Sequence, residues 1–124
     1  MPDVRTVNLA QAFASFQDHW SPKVAADIND HQLKLVKVKG EFVWHHHERE
    51  DELFQVTRGT LRIRLRDGEA VVRPGEFVVI PRGVEHCPVA DDEVEMLLLE
   101  PRTTVNTGGA QDGRTKRPEE LGRV

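Results

Sequence analysis

An all-β fold, a sandwich or closed barrel fronted by one short helix, is what this sequence predicts. Three observations carry the expectation. From Val24 to Glu100 the apolar residues come in short runs, separated by turn signals at Asn29-Asp30, Arg58-Gly59, Asp67-Gly68, Pro74-Gly75 and Pro81-Arg82-Gly83. Leu61-Arg62-Ile63-Arg64-Leu65-Arg66 alternates strictly, with the period of a strand that has water on one face. Phe77-Val78-Val79-Ile80 and Met96-Leu97-Leu98-Leu99 are apolar on both faces, so something must cover the second face of each.

The elements follow in order within one domain, 1–124. Asn8 is the N-cap of a helix over about 8–18, in which Leu9, Ala12, Phe13 and Phe16 recur at helical spacing. Pro22 stops it. The barrel occupies about 24–101. Val24–Ile28 is its first strand, and a second, with Leu33 and Leu35, runs up to Gly40. Phe42–His47 is the third, and Glu52–Thr57 follows a charged loop. Leu61–Arg66 and Glu69–Val72 form a hairpin about Asp67-Gly68. Phe77–Ile80, His86–Val89 and Val94–Glu100 complete the set. The tail from about 107 to 124, rich in glycine and charge, is expected to be irregular or mobile. The N-terminal helix or a second subunit would cover the apolar outer faces, and a homodimer is expected.

A net charge of -4 argues against nucleic acid or an acidic membrane as a general partner. No apolar run approaches the roughly 18 residues that span a bilayer. The N-terminal Met1-Pro2-Asp3-Val4-Arg5 carries no apolar leader. The single cysteine, Cys87, cannot close an internal disulfide, which fits a reducing cytoplasm.

The chemistry is concentrated in Trp44-His45-His46-His47. On an extended strand side chains alternate, so His45 and His47 share a face and His46 points away. Glu52 opens the next strand on the same face as Phe54 and Val56, and the Pro81-Arg82-Gly83 turn delivers His86 from elsewhere. Three imidazoles and a carboxylate make a mixed N/O site for a divalent transition metal.

Two motifs frame these residues. The first is Gly40, then His45-x-His47, Glu52 and Gly59. The second is Gly75, then Pro81-Arg82-Gly83 and His86. Together they resemble the paired motifs of the cupin superfamily from Gly40 to about Val89. The spacing departs slightly, with four residues between Gly40 and His45, and Ala90 stands where the family often has asparagine. The overall size is similar to small cupins likened to mannose-6-phosphate isomerase, an analogy of fold that says little about the reaction. The resemblance implies a double-stranded β-helix, or jelly-roll, with the site inside. His45, His47, Glu52 and His86 fall on its metal-ligand positions. The cofactor implied is one divalent ion: iron(II), manganese, nickel, zinc or copper.

Other features read more plainly. Arg58, Arg62, Arg64 and Arg66 form the solvated face of a strand, since no aromatic interleaves them for stacking. Cys87 is a small buried filler. Phe42 and Trp44 are expected on the barrel exterior or at a subunit contact. Phe54, Val56, Ile63, Phe77, Val79 and Met96 or Leu98 are expected to line an apolar cavity that takes a small molecule. Arg82 and Glu85 flank its mouth, and Arg102 and Asn106 follow the last strand. The function expected is a metal-dependent enzyme of isomerase or dioxygenase type. The alternatives are a non-catalytic ligand-binding module and a metal-free isomerase with His47 as general base.

Overall fold

The computed structural model describes residues 4–124. The first three residues of the stretch read above for a leader lie outside them. The fold is the expected all-β jelly-roll with one short helix. Helix α1 (Leu9–Ala14) is capped by Asn8, whose side chain accepts from the Gln11 amide. It is shorter than the helical spacing suggests. It ends at Ser15, whose amide bonds back to Ala12, so Phe16 packs from the turn beyond the helix.

The strands are β1 (Lys23–Ile28), β2 (His31–Glu41), β3 (Glu52–Arg58), β4 (Leu61–Leu65), β5 (Gly68–Val72), β6 (Phe77–Ile80), β7 (His86–Pro101) and β8 (Gly122–Arg123). The stretches His86–Val89 and Val94–Glu100 are two ends of the single strand β7. It pairs with β2 along most of its length. Its other edge pairs first with β4, through His86–Val89, and then with β3, through Glu95–Leu99. One bent strand thus closes the barrel by serving both walls.

The interior holds Val36, Val38, Phe54, Val56, Leu61, Ile63, Val94, Met96 and Leu98. On β2 the inward face is Lys34, Val36 and Val38, while Leu35 faces out and is covered by Phe13 and Phe16 beside α1. The helix therefore roofs part of the outer face, as expected. It leaves another part bare. Val79, Leu53, Leu99 and Leu33 lie in one cross-strand row on that face. Val79 is 46% exposed and Phe77 64%. These two were expected in the cavity. The pairing of β6 with β3 puts Val78 and Ile80 inside instead, because Phe54, which faces inward, sits opposite Val78.

Phe42–His47 is not a strand. A register shift between Val38 and Gly40 and a positive φ of 86° at Gly40 break the pleat. Strict alternation ends there, and Phe42 turns into the core, 8% exposed, rather than lying on the exterior. It stacks on Trp20 with ring centroids 4.4 Å apart. Trp44 stays outside, half-buried, with the Arg66 guanidinium 3.9 Å from its ring centroid.

The tail is irregular over most of its length, and side chains tie it to the barrel. Thr104 and Thr107 are buried. Asn106 donates to the carbonyls of Trp20 and Arg114 and accepts from the Lys116 amide. Arg114 bonds the Glu41 carbonyl and covers the Phe42 ring at 4.8 Å. Segment 102–117 is a strap across one end of the barrel, and β8 then joins the sheet parallel to β1. Among the described residues, no helix is long and apolar enough to cross a membrane.

Candidate metal centre

His45, His47, Glu52 and His86 come together, all buried, with one ligand atom from each inside a span of 4.8 Å. The pairing that brings them together is local. His45 and His86 exchange backbone hydrogen bonds, at 3.0 and 2.9 Å, as an isolated antiparallel bridge. The Gly83 amide donates to the His47 carbonyl at 2.8 Å, so the turn after β6 is tied to the histidine segment. Glu52 opens β3, opposite Ile80. His46 lies outside the set, as expected, although the segment is not the regular strand on which that expectation rested.

Hydrogen bonds fix two of the rings. Nδ1 of His45 donates to the Val43 carbonyl and Nδ1 of His86 to the Val84 carbonyl, each at 2.9 Å. Both rings therefore turn Nε2 into the site as a free lone pair, the arrangement by which a ligand imidazole is oriented. His86 Nε2, both nitrogens of His47 and Oε1 of Glu52 are buried with no hydrogen-bond partner. Buried polar atoms are otherwise almost always partnered, and such a cluster could hold an ion. The spacing agrees. Glu52 Oε1 lies 3.4 Å from His47 Nε2 and 3.6 Å from His86 Nε2. Two donors each about 2.1 Å from one zinc-sized ion stand roughly 3.0–3.4 Å apart at octahedral or tetrahedral angles.

The electrostatics favour the ligand forms. Burial, aided by the neighbouring His86, pushes His45 down to about 4, so its imidazole is neutral. Burial would raise Glu52, but the Glu100 carboxyl and the His47 and His86 imidazoles beside it outweigh burial and hold the carboxyl well below its usual range. Glu100 moves the other way, raised by burial and by the charge of Glu52.

Two spaces meet at this centre. An inner cavity of about 40 Å³ is bounded by His45, Glu52, Phe54, Met96, Leu98 and Glu100, with Trp20, Phe42 and Asn106 on its far side. An outer cleft of about 660 Å³ runs between the 44–50 segment and the strap, past His45, His47, Glu85 and Gly108. Phe54, Met96 and Leu98 line the inner cavity as expected, and Asn106 reaches its rim. Val56 and Ile63 are packed core instead. Arg82 is exposed on its turn, where its amide donates to Asp51. Arg102 is exposed too, its amide bonded to the Asp30 carbonyl. The arginines of β4 are solvated and paired, Arg62 with Glu69 and Asp91, Arg64 with Glu41.

Two wall residues, Trp20 and Glu100, and the Lys34 behind Glu100 escape a reading of the sequence. Trp20 stands in an unpatterned turn at φ 59°, a conformation costly for a bulky side chain. It is held by its amide to the Lys37 carbonyl and by its indole N–H to the Lys39 carbonyl. Lys34 and Glu100 look like surface charges, yet Lys34 Nζ lies 2.5 Å from Glu100 Oε2 and both are buried. The signal was present in the alternation: Lys34 shares a face with Val36 and Val38.

Comparison with known proteins agrees with this geometry. Residues 33–100 match the family model described as the cupin domain. A solved cupin-2 domain protein from Shewanella frigidimarina NCIMB 400 is 50% identical, with a TM-score of 0.76 over 77% of this chain and 93% of its own. A solved Neisseria meningitidis protein is 30% identical, with a TM-score of 0.72 over 78% of this chain and 99% of its own. The uncharacterized Bacillus subtilis (strain 168) protein YdbB is 42% identical over 62 residues, 49% of this chain. That match spans 55%, about half, of the relative's length. The strap lies beyond the segment that the family model matches.

Proposed function

Because this chain belongs to the cupin family, we propose that it is a metal-dependent enzyme acting on a small molecule at His45, His47, Glu52 and His86. The observation that carries this reading is the set of unpartnered, buried donor atoms on His47, Glu52 and His86 at metal-ligand spacing. One divalent ion, whether iron(II), manganese, nickel, zinc or copper, suits that donor set. When bound, it supplies Lewis acidity for isomerase-type chemistry or, if iron, dioxygen chemistry.

The chain's own residues do the rest. The backbone carbonyls of Val43 and Val84 hold the two imidazoles in one tautomer. The apolar wall of Phe54, Met96 and Leu98 excludes water and strengthens every charge interaction inside. His45, His47, Glu52 and His86 would hold such an ion, which would then be open to a substrate from the adjoining cavity.

Metal analysis of protein purified without chelator tests the reading, together with turnover before and after chelation. One equivalent of metal is expected, absent in His86→Ala, with the β-rich circular dichroism retained. A metal-free wild type after reconstitution would sink it, and activity surviving chelation would point to acid/base work by His47.

A homodimer and a reducing cytoplasm belong to the same proposal. The row of exposed Val79 and half-buried Leu53, Leu99 and Leu33, with exposed Phe77 beside it on edge strand β6, is the surface for a second copy. A two-fold axis would place one such row on its own image, apolar against apolar. The free, buried Cys87 supports the compartment.

A further inference from the structure

The inner cavity has a polar wall that the metal site does not use. Glu100 and Lys34 face inward because the register sets Glu100 against Gln32 and Lys34 against Leu98, so the two meet diagonally inside the barrel. They are 2% and 1% exposed. A buried ion pair is weak as a source of stability, and apolar residues of the same shape often serve as well or better. Its place between Val36 and Leu98 therefore invites a functional account.

The atoms left over supply one. Lys34 engages Oε2 of Glu100 and leaves Oε1 buried without a partner. The other polar groups around the cavity are committed. Asn106 spends its amide on Trp20, Arg114 and Lys116, and the Trp20 indole N–H donates to Lys39. His45 and Glu52 belong to the metal centre. Glu100 is thus the polar group left for a ligand, on a cavity wall that also carries Glu52.

Building on the metal-site reading, we propose that this cavity takes a small hydroxycarboxylate, its carboxylate directed to the metal centre and its hydroxyl to Oε1 of Glu100. Three observations support this class. A volume of about 40 Å³ admits a few heavy atoms, given about 10–15 Å³ for each water-sized occupant. The remaining wall is apolar, which suits a short carbon chain. A hydroxyl both donates and accepts, so it pairs with the Glu100 carboxyl whichever way the proton lies. Lys34 is a positioning residue that pins the far oxygen of Glu100.

The test uses cobalt(II) as the metal, read by its visible spectrum, with glycolate and propionate as isosteric probes that differ by hydroxyl against methyl. The preference for glycolate is compared with that of aqueous cobalt(II). In the wild type it is expected to exceed the free-ion value at least tenfold. In the double variant Lys34→Met/Glu100→Met it should return to the free-ion value with cobalt still bound. A wild-type preference equal to that of the free ion would overturn the proposal without any variant having to fold. So would a preference that persists in the double variant. Absence of a protein-bound cobalt spectrum is a separate result, and it takes the metal-site reading down as well.

Discussion

Gly108, in the strap, lies against the carbonyl oxygen of His46, the residue between His45 and His47 of the candidate metal centre, with no room for a side chain between them. Its φ of 58° is a second reason for glycine there. The strap is thus seated on the backbone that carries His45 and His47.

Gly108→Ala should therefore destabilise the protein by about 2 kcal/mol or more, from left-handed strain together with the clash. Gly113→Ala, in the same strap but with open space at its Cβ, should stay within about 0.5 kcal/mol of wild type. Urea midpoints of the two variants, measured side by side, check this. Equal midpoints would mean that the strap does not rest on His46.

The His45 imidazole predicts acid sensitivity of the metal-free protein. Its folded value of about 4 lies below the ordinary 6.5, so between those pH values the unfolded chain binds a proton that the folded chain does not. Stability attributable to this group is whole above about pH 6.5 and falls as the pH drops to about 4. The loss is on the order of 3 kcal/mol. In His45→Gln that part of the slope should vanish. Thermal melts of the metal-free proteins across pH 4–7 would show it, and parallel curves would refute the assignment.

Phe42 and Trp44 separate the two sides of the histidine segment. Phe42→Ala opens the core against Trp20 and should cost about 3–5 kcal/mol. Trp44→Ala gives up half-buried surface and a contact with Arg66, and should cost about 1 kcal/mol. Chemical denaturation of both variants distinguishes this from the simple alternation, in which the two residues would behave alike.

Phe77→Asp reports on the second copy. Light scattering should give twice the chain mass for the wild type and a single chain for the variant, with circular dichroism unchanged. A wild type that is monomeric at micromolar concentration would end the dimer proposal.

The barrel was legible because β3 and β4 alternate cleanly and turn dipeptides mark most of their ends. The cluster of His45, His47, Glu52 and His86 was legible because its spacing survives even where the strand does not: His45 and His47 still converge although Gly40 breaks the pleat before them. What stayed hidden depends on tertiary pairing. No local pattern tells that β6 would register against β3 with Val78 inside and Phe77 out. A lysine and a glutamate 66 residues apart do not announce that they will meet in the core. The strap was hidden for a third reason. Its order comes from single hydrogen bonds of Asn106 and Arg114 to distant carbonyls, without periodicity of its own.

The stacking of Trp20 on Phe42 at the cavity wall has an optical consequence. The chain has only two tryptophans, one inside the barrel and one on its outer surface. With Trp44 replaced by phenylalanine, the remaining emission would come from an indole lining the chamber itself. Filling of that chamber could then be followed by intrinsic fluorescence, in real time and without a label.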